Sequence, residues 1–251
     1  MRWGDFFVRH PVAYHKSSVT MEERQIKSRQ RVAELGEVFT AEREVNAMLD
    51  LVKQETERID SRFLEPACGT GNFLAEILKR KLAVVLRMYQ RQVAQVQLQS
   101  VIAVSNIYGI DIMMDNVEEC RQRLLDILCE WYPHALPGSE VPVELRQVWQ
   151  YLLERNILWG DALTLRLPVS ANASETEKLN AEPITFSEWS FISDMVMRKD
   201  YHLAALMQAQ TQSVPDLFSD LGDEAHLPPK PVREYKPVHY MKIATYYDTQ
   251  Q

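Results

Sequence analysis

Several features that mark specialised protein classes are scarce in this chain of 251 residues. It has only three cysteines, Cys68, Cys120 and Cys129, an odd number whose spacing fits no zinc template. We therefore expect free thiols. The histidines are scattered and do not pair at helical spacing, so we also expect no metal site. Glycine and proline number 8 and 12, which is too few for a collagen or a flexible linker.

Long apolar runs are missing as well. No stretch of about 18 uncharged apolar residues occurs, so the sequence predicts no helix that spans a membrane. The N-terminal stretch MRWGDFFVRHPVAYH also lacks the continuous apolar core of a secretory signal. These absences predict a cytoplasmic protein with reduced cysteines.

Charge is unevenly distributed along the chain. The net charge is -7, yet residues 1–31 carry seven basic residues against three acidic ones. A basic arm on an acidic body can contact nucleic-acid phosphates. The same residues also suit the solvated face of a helix. We predict a basic, helical arm over residues 1–35.

Strand-like and helical segments alternate through the middle of the chain. Strand-like segments end at Glu65, at Asp111 and near Asp161, and helical patterns lie between them. This alternation predicts an α/β fold with a mostly parallel sheet. The segment PITFSEW is interpreted as a fourth strand, RKDYHLAALMQ as a last helix and LPPKPVREYKPVHY as an extended tail.

In parallel sheets ligands bind beyond the carboxyl ends of the strands, where this sequence places acids and glycines. The loop EPACGTG lets backbone approach a ligand, although the same residues suit a tight strand-to-helix turn. Asp111 could accept ribose hydroxyls or serve as a helix cap. Asp161 could accept the amine of an adenine or serve as a turn residue.

Four segments carry a family resemblance. FLEPACGTGNFL resembles the S-adenosylmethionine motif of amino-group DNA methyltransferases, especially the adenine-N6 enzymes. GEVFT resembles the motif that precedes it in the gamma arrangement, although Ala41 replaces the family's proline. YGIDI and GDAL resemble the acidic and adenine-facing motifs that come after it. The resemblance covers residues 36–163 and implies a Rossmann-like methyltransferase fold.

The same resemblance implies a set of residues that bind S-adenosylmethionine. They are Phe39, Thr40, Glu65, Ala67, Gly69, Gly71, Asp111, Ile112, Asp161 and Leu163. In this assignment Asp111 holds the ribose, Ile112 packs on the adenine and Asp161 binds the adenine amine. Cys68 is a small turn residue and not a nucleophile.

The sequence departs from the family where the target amine is bound. Family enzymes use an [ND]-P-P-[YFW] motif whose polar groups align the amine and whose aromatic ring stacks on the flipped base. This sequence has no such motif, and FSEWS stands at the corresponding place. Glu188 could accept from the amine and Trp189 could stack. The alternative is an ordinary strand end with a buried tryptophan.

The C-terminal part is also short for the family, since only about sixty residues come after Trp189. We therefore predict a methyltransferase-like domain over residues 36–200, truncated on its C-terminal side, and a helix with a Pro-rich tail over residues 201–251. An incomplete sheet exposes an edge strand, which a second copy or a partner subunit could cover.

Three functions remain open at the level of sequence. The first is a DNA adenine-N6 methyltransferase, or the methylating subunit of a restriction–modification or phage-defence system. The second is a degenerate cofactor-binding subunit or regulator of such a system, which the missing motif favours. The third is methylation of an amine in RNA or in a protein glutamine, whose relatives also use the missing motif.

Overall fold

The computed structural model describes residues 40–170, 172–212 and 229–249. The chain divides into two compact units, residues 1–41 and 42–251, and the described helices and strands belong to the second. The basic arm predicted over residues 1–35 lies outside the described residues.

A three-stranded parallel sheet forms the centre of this unit, with its strands where the sequence predicts them. They are β1 (Phe63–Glu65), β2 (Ile107–Asp111) and β3 (Ile157–Trp159), in the order β1-β2-β3. Glu65 pairs with Gly109, and Asp111 pairs with Trp159. The predicted α/β architecture is therefore present, with the carboxyl ends of all three strands at one edge.

Six of the described helices come before β3 in the chain. They are α1 (Glu42–Asp50), α2 (Lys53–Thr56), α3 (Asn72–Tyr89), α4 (Val93–Ser105), α5 (Met114–Ala135) and α6 (Val143–Asn156). Helices α3 to α6 all contact β2, which is buried at each of its five residues. Within the described ranges, no helix is long and apolar enough to cross a bilayer.

After β3 the structure differs from the sequence-based prediction in the pairing of the fourth strand and in the start of the last helix. The segment predicted as a fourth strand of the parallel sheet lies in β4 (Thr185–Ile192), which pairs antiparallel with β5 (Met195–His202) in a separate sheet. The residues RKDYH, predicted to start a helix, belong to β5. Buried and more exposed residues alternate along β5 from Met195 to Asp200, which is typical of a strand.

The remaining elements complete this second sheet. After the short helix α7 (Glu175–Asn180), helix α8 (Leu203–Gln212) continues directly from β5. The segment predicted as an extended tail contains β6 (Arg233–Glu234) and β7 (Val238–His239), which both pair with β5. Helix α9 (Ile243–Asp248) comes after it. The domain boundary predicted at residue 200 thus falls inside β5.

A buried polar cluster attaches the second sheet to the helices. Arg198 donates two hydrogen bonds of 2.8 Å to Asp200 and a third, of 2.7 Å, to the Tyr151 hydroxyl on α6. Asp200 also accepts from Ser187 and Tyr235. Every charged or polar group of this cluster has a hydrogen-bond partner, which is what permits its burial.

Candidate cofactor site

Three predicted site residues meet at the carboxyl edge of the parallel sheet. Glu65 ends β1, Asp111 ends β2, and Asp161 lies two residues after β3. The backbone N–H of Gly160 donates to the Asp111 carbonyl at 3.0 Å, which holds the β3 turn against β2. Ligands of parallel sheets bind at this edge, so the topology brings together what the sequence separates by about a hundred residues.

The glycine loop turns tightly from β1 into α3. The Cys68 N–H donates to the Ile110 carbonyl at 2.8 Å, and the Gly71 N–H donates to the Cys68 carbonyl at 2.8 Å. Gly69 and Gly71 have φ values of 52° and 83°, which L side chains rarely adopt. Among the described residues no side chain caps the N-terminus of α3, and an anionic group is favoured at such a helix end.

Helix α5 leaves no room for a side chain at Gly71. A Cβ atom there would lie 2.6 Å from the sulfur of Cys120, which is fully buried. The hydrogen bond with Cys120, together with burial, raises the pKa of the Cys68 thiol. Both cysteines therefore act as small packing residues, as the sequence predicts for Cys68, and all three cysteines are free thiols.

The Asp111 carboxylate already accepts three hydrogen bonds. Its Oδ1 accepts from the Met113 N–H at 2.8 Å and from the Asn116 side-chain amide at 3.2 Å. Its Oδ2 accepts from the Gly69 N–H at 2.8 Å. A carboxylate has about four lone-pair positions, so in this conformation one position on Oδ2 is left for a ribose hydroxyl. From the sequence, Asp111 could accept both hydroxyls of a ribose. In the structure a second hydroxyl could bind only if the Gly69 N–H released Oδ2.

Glu65 is half-buried, and the described residues include no hydrogen-bond partner for its carboxylate. Burial raises the pKa of Glu65 above its ordinary value. Such a carboxylate gains from a cationic ligand, because the ligand offsets the cost of burying the charge. The ammonium group of an amino acid, such as the methionine part of S-adenosylmethionine, meets this need.

An apolar platform lies beside Asp161. Ile112 and Leu163 are large apolar residues that are 46% and 95% exposed. The Asp161 Oδ1 accepts from the Leu163 N–H at 2.8 Å and so sets the turn, while its Oδ2 makes no hydrogen bond within the described residues. An adenine can pack on the apolar side chains and donate its amine to this Oδ2.

Trp159 is a neighbour of this platform that sequence reasoning missed. Its indole N–H donates to the Ile112 carbonyl at 2.8 Å, and its ring is half-buried. In the sequence Trp159 directly precedes GDAL. Its position at the end of a strand-like segment is the only feature that could have indicated a place at this edge. Trp159 thereby holds the backbone of Ile112 at the carboxyl edge of the sheet.

The other predicted cofactor residues differ in what the structure shows. Ala67 is exposed in the glycine loop, two residues from Glu65. Thr40 is half-buried and precedes α1 by two residues. Phe39 lies outside the described residues.

The two predicted catalytic residues do not line this edge. Trp189 is only 3% exposed, and its indole N–H donates to Asn156 at 2.9 Å. It packs edge-on against Tyr151, so no face of its ring is offered to a base in this conformation. Glu188 pairs with Arg62 at 2.7 Å, and Arg62 precedes β1, at the opposite end of that strand from Glu65. The geometry corresponds to the alternative of a strand with a buried tryptophan.

Other surfaces of the described residues offer no comparable set of ligand-binding groups. In the part of the chain that the structure describes, no group of three His, Cys, Asp or Glu side chains is placed to hold a metal ion. A surface groove runs along α5, lined by Glu119, Gln122, Arg123, Asp126, Ile127 and Glu130. None of these residues is predicted from the sequence to bind the cofactor.

Comparison with known families gives a match that covers part of the chain. Residues 39–131 match the family model described as MmeI, DNA-methyltransferase domain. The matched range is less than half of the chain and contains the glycine loop, Asp111 and most of α5. The match supports a DNA methyltransferase of the restriction–modification type. No curated protein and no solved structure matched the chain.

Proposed function

We propose that the chain binds S-adenosylmethionine at the carboxyl edge of its parallel sheet and serves as a DNA adenine-N6 methyltransferase or methyltransferase subunit in a restriction–modification or phage-defence system. The observation that carries this proposal is the meeting of the EPACGTG loop, Asp111 and Asp161 at one edge. The family match over residues 39–131 supports DNA as the substrate, and a DNA substrate agrees with the predicted cytoplasmic location.

The proposed cofactor lies across the edge with each end matched to a local chemistry. Its ammonium group pairs with Glu65, near Ala67, Gly69 and Gly71. Its ribose meets Asp111, and its adenine packs on Ile112 and Leu163 and donates to Asp161. For Phe39 and Thr40 a role in binding remains a prediction from the family resemblance alone.

Recognition of the target amine requires a group that the described residues do not present at this edge. Trp189 is committed to the core, and Glu188 is paired with Arg62. We therefore propose that a partner subunit, or a second copy of this chain, supplies the aromatic and polar groups that hold the flipped adenine. Such a partner would also read the DNA sequence.

The first test is calorimetric titration with S-adenosylmethionine. Asp161→Asn is the matched variant, because an amide Oδ1 can still accept from the Leu163 N–H while the other position becomes a donor that opposes the adenine amine. We expect binding by the wild type and a loss of about 1–3 kcal/mol in the variant. A wild type that does not bind, in a folded sample, would refute the proposal.

The second test measures transfer of labelled methyl groups to mixed-sequence DNA, alone and with candidate partner subunits. Label in adenine that Asp161→Asn removes supports the adenine-N6 activity. If Glu188→Gln also abolishes methyl transfer, Glu188 would be assigned as a catalytic residue. Label in cytosine alone would overturn the adenine assignment.

A second candidate function is a cofactor-binding subunit without transfer activity. The burial of Trp189 in an aromatic cluster favours it, since the ring that the sequence predicts to stack on the target base is not offered at the edge. This candidate predicts calorimetric binding of the cofactor without methyl transfer in any combination of partners. Transfer by a reconstituted complex would exclude it.

A further inference from the structure

One face of α5 lies along the whole glycine loop. Asn116, Cys120 and Arg123 are spaced at i, i+4 and i+7, which places them on the same side of a helix. Asn116 contacts Asp111, and Cys120 fills the space beside Gly71. Each therefore touches a residue of the proposed cofactor site without lying in the sequence motifs that predicted that site.

Arg123 completes this face. Its Nη1 donates to the Asn72 side-chain oxygen at 2.6 Å and lies 3.4 Å from the Thr70 carbonyl. These contacts join the middle of α5 to the junction between the glycine loop and α3. Helix α5 therefore holds the loop at its end as well as in its centre.

Asn116 has the most direct link to the proposed chemistry. It is 1% exposed, and its amide donates to Oδ1 of Asp111. Together with the Met113 N–H it occupies Oδ1, which leaves Oδ2 as the oxygen turned toward the loop and Gly69. Rotation of the carboxylate would break both bonds to Oδ1, so the side chain is held in one orientation.

We propose that Asn116 is a positioning residue for the ribose: it fixes the Asp111 carboxylate so that Oδ2 faces the ribose hydroxyls of the cofactor. This inference rests on the proposed function, because it assumes that an adenosyl ligand binds at this edge. Through Asn116, helix α5 would then affect which ligands bind, in addition to packing against the sheet.

The experiment compares two ligands on the folded full-length chain. One is S-adenosylhomocysteine, and the other is its 2′,3′-dideoxy analogue, which has no ribose hydroxyls. Asn116→Leu removes the amide donor at similar size, and Gln122→Leu on the exposed side of the same helix is the matched control. Affinity is measured by calorimetry and folding by thermal denaturation.

We expect Asn116→Leu to bind S-adenosylhomocysteine about tenfold more weakly than the wild type and to bind the dideoxy analogue as well as the wild type does. Gln122→Leu should change neither affinity. An equal loss for both ligands would overturn the proposal, since a merely structural role does not depend on the hydroxyls. An unchanged affinity for S-adenosylhomocysteine would overturn it as well.

A second variant covers the case in which Asn116→Leu fails to fold. Asn116→Ala removes the amide donor with a smaller side chain and places no new charge beside Asp111, and we expect the same ligand-selective loss. A wild type that binds neither ligand refutes the proposed function itself. If instead the wild type binds and the Asn116 variant loses affinity equally for both ligands, only the role of Asn116 is refuted.

Discussion

At the scale of single residues, the glycine loop depends on what α5 places behind it. Gly71 needs both a positive φ and the absence of a Cβ atom, whereas Gly138 has a nearly identical φ of 82° with open space around it. Substitutions at these two glycines can therefore distinguish the cost of backbone strain from the cost of a steric clash. In the structure a side chain at Gly71 would collide with Cys120.

We predict that Gly71→Ala abolishes or strongly weakens cofactor binding, whereas Gly138→Ala costs only the backbone strain of about 1 kcal/mol in the free energy of unfolding. The added Cβ must displace the Cys120 sulfur, which moves the loop. The double variant Gly71→Ala/Cys120→Ala removes that sulfur, and the next atom is 3.5 Å away. Calorimetry and denaturation check the three variants, and no recovery in the double variant would contradict the steric explanation.

Glu65 gives a pH-dependent prediction at the same scale. Because burial raises its pKa, the folded chain keeps a proton at pH values where the unfolded chain has lost it. The contribution of Glu65 to stability is therefore lost as pH rises from its ordinary pKa through the raised one. We expect Glu65→Gln to be more stable than the wild type at neutral pH, with the difference vanishing below the ordinary pKa, and to bind the cofactor more weakly.

The measurement for Glu65 is thermal denaturation across the acidic range together with calorimetric titration at neutral pH. Glu140→Gln, at an exposed position between α5 and α6, is the control and should change neither property. A loss of stability in Glu65→Gln at neutral pH would show that this carboxylate has a cationic partner in the folded chain.

At the scale of elements, α3 carries a lysine at a fully buried position. Lys81 donates to the carbonyl of Ile59 at 2.8 Å and to those of Arg58 and Ser61. These carbonyls belong to the segment between α2 and β1, so one side chain fastens the start of β1 to α3. A hydrophobic pattern alone would have assigned this position an apolar residue.

We predict that Lys81→Met lowers the free energy of unfolding by about 2 kcal/mol or more, because three carbonyls lose their donor. Lys79→Met, two residues away and 41% exposed in a loose pair with Glu76, should change it by less than about 1 kcal/mol. Chemical denaturation measures both values. Equal effects of the two substitutions would contradict the fastening role.

At the scale of the whole molecule, stability depends on the cluster that joins the second sheet to the helices. The Arg198 guanidinium lies over the ring of Tyr235 at 4.4 Å and donates to Asp200 and Tyr151. Tyr247 of α9 donates to the carbonyls of Val196 and Lys236. The C-terminal segment is thereby integrated into the fold.

We predict that Arg198→Met lowers the free energy of unfolding by about 3–5 kcal/mol, since it leaves the buried carboxylate of Asp200 without its cation. Lys199→Met is the neighbouring control on the same strand. Its exposed pair with Glu234 should contribute no more than about 1 kcal/mol. Denaturation monitored by circular dichroism distinguishes these values, and similar losses would show that the cluster does not support the fold.

The parallel sheet and the glycine loop at its carboxyl edge could be predicted because their determinants are local. A strand that ends in Glu65 and a loop with glycines at 69 and 71 have short-range signatures. Trp159 and Asn116 could not be predicted, because their roles come from contacts made across the fold. The sequence left open whether Trp189 stacks on a base or lies in the core, because it marks an aromatic residue on a strand but not which face of that strand is buried.

By itself the sequence determined the alternation of strands and helices, the position of the glycine loop and the family to which that loop is similar, since each depends on residue spacing along the chain. Only the tertiary structure decided which oxygen of Asp111 has room for a further hydrogen bond, that Glu188 and Trp189 lie away from the carboxyl edge of the parallel sheet, and that β4 joins a separate antiparallel sheet. Burial and hydrogen-bond partners are properties of distant residues brought together, and a linear pattern does not contain them.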